Sequence, residues 1–293
     1  MSNQTEITPK KRRLRAMTRT TYDVQDFRMR VGGRLVQNFR VKLGLDDEKT
    51  SEEENKNVLR KLQLRYERVT DGIALSSLSR RRKYDYDGVI TNYGELCMIN
   101  HYLRLCEQER VMFRDLKAEL KNWEIWKKFL VDVKGVGPAM ASVMVSEFNP
   151  KKGKYVSSFW KYAGLDVAPD GKARSRRKEH LREIEYEDKN GEKAMRKGLT
   201  FNPFLHDKLL GVLGSCLLRA NGKYKDTYDN YKHRIESEGK GESDGHRHRM
   251  AIRYAVKMLV KDLYIEWRPI VDMPVHDPYA EDKLDGQPHG DSD

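Results

Sequence analysis

A serine sits inside a dense run of positive charge, Lys172-Ala173-Arg174-Ser175-Arg176-Arg177-Lys178-Glu179-His180. Guanidinium groups beside a hydroxyl can stabilise the charge that builds on a phosphate in the transition state, so Ser175 is a candidate nucleophile for phosphoryl transfer. Serines in basic loops also serve simply to hydrogen-bond a phosphate or solvent, and both roles stay open at Ser175. Lys172, Arg174, Arg176, Arg177 and Lys178 are candidate contacts to a nucleic-acid backbone, because each cation laid on a phosphate releases counterions.

A second group of residues can bind an anion without side chains. In Val133-Lys134-Gly135-Val136-Gly137-Pro138-Ala139-Met140-Ala141, two glycines flank one small apolar residue, Val136. That pattern lets a chain reverse between two helices and bring its backbone close to a phosphate. Pro138 fits the first position of the second helix, where its missing amide is harmless, and Ala141, Val145 and Phe148 supply a buried face. The amides near Gly137 and Ala139, backed by the helix dipole, would point at an anion, with Lys134 beside them. A plain tight corner between helices is the competing reading, since G-x-G alone is a weak signal. The preceding amphipathic stretch, Pro138 and the alanine three residues after it, Ala141, together fit a helix-hairpin-helix, whose phosphate contacts are independent of base sequence.

His246 and His248 form an H-x-H pair that can in principle hold a metal, but the sequence offers no third ligand nearby. A basic helix start that touches phosphate, or that packs on Tyr224, Tyr228 and Tyr231, is the default, and the helical spacing of those tyrosines points to core more than to base stacking.

These residues need elements to hold them. Residues 1–16 carry Lys10, Lys11, Arg12, Arg13 and Arg15 among polar residues and read as a disordered basic arm. Val24, Phe27, Val31, Leu35, Val36 and Phe39 recur at helical spacing despite Gly32 and Gly33. Ser51 and Glu54 predict a capping box before a helix through Val58, Leu62, Tyr66 and Val69. Arg80 to Lys83 read as a solvated turn, and a long charged helix follows from Tyr93 to about Asn122. Residues 17–122 are thus expected to form a helical N-terminal region, as a long helical hairpin or coiled coil.

Beyond Trp123 the composition turns richer in Gly, Pro and aromatic residues, which predicts a second domain over 123–270. Ser157 and Ser158 are expected to cap a short helix ending at Gly164, and a basic linker follows. Asn202-Pro203-Phe204 reads as N-cap, N1 and N2 of a helix to Arg219. Two more are predicted, from Tyr224 to Ile235 and from Arg247 to Trp267, with an acidic, disordered tail over 271–293. The fold class is mostly α.

A formal charge of +12 and a pI near 9.4 make a polyanion the first partner to consider, and 35% charged residues with a mean hydropathy of −0.83 describe a large solvated surface. The three cysteines, Cys97, Cys106 and Cys216, show neither a CxxC pair nor metal-ligand spacing, which suits a reducing cytosol better than a disulfide framework. No apolar run or signal peptide is evident, so a membrane partner is not expected and a cytoplasmic, DNA-associated location is.

The order of motifs over about 129–268 is more specific than any one of them. The hairpin, then Trp160-Lys161-Tyr162-Ala163-Gly164-Leu165, a basic linker, Asn202-Pro203 and the final helix from His246 to Leu263 resemble the C-terminal domain of the DEDD-type, bridge-RNA insertion-sequence transposases. The resemblance implies a DNA-binding protein of a mobile element, acting in transposition or site-specific recombination. It also implies that a guide or structured RNA can be a partner, and it places a metal-holding RuvC-like nuclease half in the family; a homo-oligomer is open, no cofactor is assigned, and a divalent metal such as Mg enters only if the protein is catalytic. In that family a serine of the C-terminal domain attacks the phosphodiester. Pro169-Asp170-Gly171 stand at its place here, and Ser175 is the nearest hydroxyl. The first 120 residues show helical periodicity and no strand bearing an early aspartate, so Asp23 and Asp26 are not assigned as ligands. A non-catalytic architectural or regulatory nucleic-acid binder, derived from such a transposase, is the alternative, and a hairpin that binds protein while the charge serves RNA is a third.

Overall fold

The computed structural model describes residues 8–45 and 51–276, and the chain divides into two compact units. One comprises residues 16–115. The other joins residues 8–15 to 116–276, so the domain division lies near Leu116, short of the expected change at Trp123.

In the first unit the 16–39 part of α1 (Pro9–Phe39), α2 (Glu52–Val69) and the 93–115 part of α3 (Tyr93–Leu120) share one core. Leu35, Val36 and Phe39 meet Val58, Leu62 and Tyr66 of α2 and Leu96, Ile99 and Leu103 of α3, each set at the three- and four-residue steps that put side chains on one face. The helical N-terminal region expected over 17–122 is thus built, among the described residues, on these three helices. The capping box is present: Glu54 donates its amide to Ser51 Oγ at 3.2 Å, and Ser51 returns its own to the Glu54 carboxylate at 2.6 Å.

In the second unit α5 (Pro138–Glu147) is central, because Met140 to Glu147 are all buried, as befits a helix apolar on every side. Its two serines satisfy their hydroxyls on the α5 backbone, Ser142 on Ala139 O at 2.7 Å and Ser146 on Val143 O at 3.1 Å. Around it stand α4 (Glu124–Lys128), α6 (Val156–Tyr162), α7 (Pro203–Asp207), α8 (Gly214–Arg219), α9 (Lys223–Ser237) and α10 (Asp244–Ile270). A π-helical segment, Lys208–Leu213, joins α7 to α8. Ala251 and Ala255 bring α10 close to Tyr228 on α9, since an alanine leaves room for a tyrosine ring. Asn202 caps α7 by accepting from the Leu205 amide at 3.2 Å, with Pro203 at the first position as expected.

Three expectations are corrected. Residues 9–16 are helix, not a disordered arm. Leu14 is fully buried, and the neighbouring cations find acceptors within the second unit: Lys10 on Asn122 O, Lys11 on Phe148 O, Arg13 on Glu119 and Arg15 on Glu147. Residues 1–7 of the expected arm lie outside the described residues. Within the supposed tail, 271–276 is held by Arg268, whose buried guanidinium donates to Pro274 O and, at 2.8 Å, to Pro150 O. The remainder of the expected tail, 277–293, lies outside the described residues. Finally, the basic linker contains an antiparallel hairpin, β1 (Arg182–Glu187) and β2 (Lys193–Gly198), in the register Arg182↔Gly198 to Glu187↔Lys193.

Burial pushes the Lys11 ammonium from its ordinary 10.5 down to about 8, with Arg15 adding repulsion. The folded chain then holds fewer protons than the unfolded one between about pH 8 and 10.5, so stability rises with pH across that window. The span corresponds to about 3 kcal/mol. Lys11→Met should remove that rise, measured as urea midpoints at pH 7 and pH 10. An unchanged pH dependence would mean that Lys11 is solvated.

Candidate nucleic-acid interface and its serine

The segment after α6 is built to present Ser175. Helix α6 closes with Leu165 N–H on Trp160 O at 2.8 Å and Gly164 at φ +65°, the six-to-one closure of a helix end. Gly164 is required twice over: a Cβ there would lie 2.7 Å from the Phe201 ring. Ser157 and Ser158 do not cap α6. Tyr155 holds that position, and both serines sit in the exposed first turn.

Ala168-Pro169-Asp170-Gly171 then turns the chain back, closed by Gly171 N–H on Ala168 O at 3.0 Å, so that Val167 bridges Ala173. Proline, aspartate and glycine suit such a turn, since proline presets φ and aspartate accepts from amides two residues on, here Lys172 N–H at 3.1 Å. Two arginines fix the turn's base. Arg174 grips the Asp166 carboxylate bidentately at 2.7 to 3.1 Å, and Arg253 of α10 donates to the carbonyls of Gly164 and Asp166.

Ser175 emerges beside a buried histidine. His180 closes a short 3-10 turn, Lys178–His180, and its side chain is 1% exposed. Its Nδ1 lies 2.9 Å from the Ser175 amide nitrogen and 3.0 Å from Ser175 Oγ, while its Nε2 lies 3.1 Å from Asp170 Oδ2. An amide can only donate, so Nδ1 carries the lone pair. The remaining ring proton belongs on Nε2, pointing at Asp170. The bond from His180, with the Lys172 amide, holds the Asp170 carboxyl below the usual carboxylate range.

Ser175 lines a cleft of about 670 Å³ whose walls are the 165–177 segment, α9 and α10. Lys172, Arg177, His246, Arg253 and Lys257 line it too, against one acid, Glu242. Burial depresses the Lys257 ammonium, which also lies 4.4 Å above the Trp160 ring. Tyr231 and Tyr254 stack in the wall at 4.2 Å between ring centres. Such a cleft attracts anions, since low-dielectric walls concentrate the field of its cations.

The sequence candidates divide accordingly. Lys172, Arg177 and Lys178 are exposed and open to a ligand. Arg174 is corrected: at 5% exposure and paired with Asp166, it supports the loop. Arg176 is exposed but paired with Asp207 at 2.6 Å, so a phosphate would have to compete for it. His248 bonds Tyr228 Oη at 2.6 Å, Tyr224 bonds Asp262 at 2.7 Å, and no group of three or more His, Cys, Asp or Glu able to hold a metal occurs among the described residues.

The segment 133–139 forms a tight turn that leads into α5. The arm before it is short, α4 followed by a 3-10 turn, Leu130–Asp132. Val136 is buried and its amide closes the turn on Val133 O at 3.0 Å. Gly137 caps α5 and faces open space, with Ala139 half-buried in the first turn and Lys134 exposed beside it. Gly135 has a different job from the one expected. A Cβ there would lie 2.9 Å from Cys216 O and from Leu217 Cα, so this glycine, at φ +90°, lets the turn pack on α8.

His180 and Asp170 were not among the sequence candidates. The Pro-Asp-Gly turn five residues before Ser175 was the available signal.

No protein-family model, curated protein or solved structure matches the chain. Among the described residues no helix is long and apolar enough to cross a membrane.

Proposed function

We propose that the second unit binds DNA in the cationic cleft around Ser175, and that the protein acts in DNA transposition or site-specific recombination with Ser175 as the nucleophile. The observation that carries this reading is a hydroxyl placed among Lys172, Arg177, His246, Arg253 and Lys257 in one cleft. A duplex supplies one phosphate every few ångströms, and a row of cations gains affinity from each counterion it displaces. The hairpin mouth at Gly137 is a second phosphate contact that adds affinity without sequence preference.

The lack of a metal-ligand cluster among the described residues favours one other reading, a non-catalytic DNA binder. Supercoiled plasmid with Mg²⁺ separates them: strand cleavage or a protein-DNA adduct supports the recombinase, and retardation alone supports the binder.

DNA binding itself is tested by salt. Replacing Lys172, Arg177 and Lys178 with alanine should lower the slope of log affinity against log salt by about 0.9 for each duplex phosphate that is no longer neutralised. A slope equal to the parent's would place these side chains in solvent. Arg174→Ala should act instead through stability, because it leaves Asp166 without its partner.

A further inference from the structure

We infer that His180 is the general base for Ser175 and that Asp170 is the positioning residue that holds its ring, an inference that rests on the nucleophile assigned above. Three observations converge. The Ser175 amide marks His180 Nδ1 as an acceptor, and the hydroxyl lies 3.0 Å from that same lone pair. Nε2 is aimed at a carboxylate, which offsets the charge the ring acquires when it takes a proton. The ring is buried while Ser175 is half-buried and faces the cleft, so the base is shielded and the nucleophile is accessible.

The order base, nucleophile and orienting acid is the one that activates a hydroxyl, here with the two ring nitrogens in exchanged roles relative to the serine-protease arrangement. As Ser175 Oγ bonds to phosphorus, its proton passes to Nδ1 and the bond from phosphorus to a sugar oxygen breaks. That oxygen leaves with a proton from water, whose hydroxide passes to solvent, and the protein is left as a phosphoserine diester with an imidazolium beside it. Arg177 and Lys172, lining the same cleft, are the groups available to offset charge on the non-bridging oxygens.

The test uses a probe that needs no DNA. A fluorophosphonate forms the same Oγ–phosphorus bond and expels fluoride, with the same proton going to Nδ1. The full chain should be labelled at Ser175, as mapped by peptide mass spectrometry. His180→Gln should label about a hundredfold more slowly or worse, because the amide keeps a hydrogen-bonding shape but cannot take the proton. Its DNA affinity should stay near the parent's, and its unfolding is followed alongside because the replaced ring is buried. Nitrogen-15 spectra of the parent report the tautomer without any variant: an unprotonated Nδ1 and a protonated Nε2 are expected, with Asp170→Ala eroding that preference. Equal labelling of Ser175 in a folded His180→Gln protein, no labelling at Ser175 at all, or a proton on Nδ1 would each overturn the inference. The two readings fail separately. Histidine-dependent labelling in a protein that does not bind DNA would remove the DNA reading and leave the base, whereas DNA binding with unlabelled Ser175 would do the reverse.

Discussion

Ser175→Ala is expected to abolish the covalent protein-DNA adduct and strand cleavage while leaving DNA affinity within about fivefold of the parent, because one neutral hydroxyl contributes about 1 kcal/mol to binding. A hydroxyl nucleophile splits strand transfer into two steps and leaves the protein joined to one DNA end, so loss of the oxygen removes the intermediate itself. The expected fall in adduct formation is at least about a thousandfold, the scale seen when a covalent nucleophile is deleted. Ser157 and Ser158 make the control pair. Both are exposed in the first turn of α6, with the cap held by Tyr155, so their alanine variants should retain the adduct and lose little stability. Denaturing gels of radiolabelled DNA and mass mapping of the attached peptide read the result. An adduct that survives in Ser175→Ala, attached to another side chain, would remove Ser175 from the chemistry.

Gly135→Val should destabilise the second unit by about 3 kcal/mol or more, since it adds a Cβ against the α8 backbone and forces a branched residue into a left-handed conformation. Gly137→Val should behave quite differently. Its neighbourhood is open and its φ of −79° suits any residue, so the protein stays folded while the added bulk holds a phosphate away from the α5 amides. Thermal unfolding separates the two, and DNA affinity need be compared only for the Gly137 variant. Equal unfolding midpoints for the two variants would contradict the packing role of Gly135. A folded Gly137→Val with unchanged affinity would remove the hairpin from the interface.

Local signals were the legible ones. The Ser51–Glu54 box and the Asn202-Pro203 cap are set within four residues, and the apolar steps of α2, α3 and α10 are set within one helix, so neither depends on the rest of the chain. What the basic segments do depends on distant partners. Lys11 and Arg15 look like a solvated arm until Phe148 O and Glu147 are placed beside them. Arg174 and Arg177 are alike in composition and neighbours, yet one is buried against Asp166 and the other is exposed at the cleft. The β1–β2 hairpin had a readable signature in the alternation Glu183-Ile184-Glu185-Tyr186-Glu187 and in the turn Asn190-Gly191, but Ile184 and Tyr186 stay exposed, so its short apolar stripe is not anchored in a core. The serine was legible as a residue type in a basic setting. The histidine and aspartate that bond to it were not, because the turn at 168–171 and the 3-10 turn before Leu181 bring them together.

The proposed seating of DNA phosphates in the cleft around Ser175 is tested by marking where a duplex touches the protein. A duplex carrying aryl-azide groups on backbone phosphorothioates, irradiated with the full chain and digested for peptide mapping, reports phosphate neighbours without requiring turnover. Crosslinks within 172–178 and 246–257 are the expected result, reduced when Lys172, Arg177 and Lys178 are replaced by alanine. Crosslinks confined to peptides outside the cleft, and unchanged by those replacements, would place the DNA elsewhere on the protein and remove the cleft as its site.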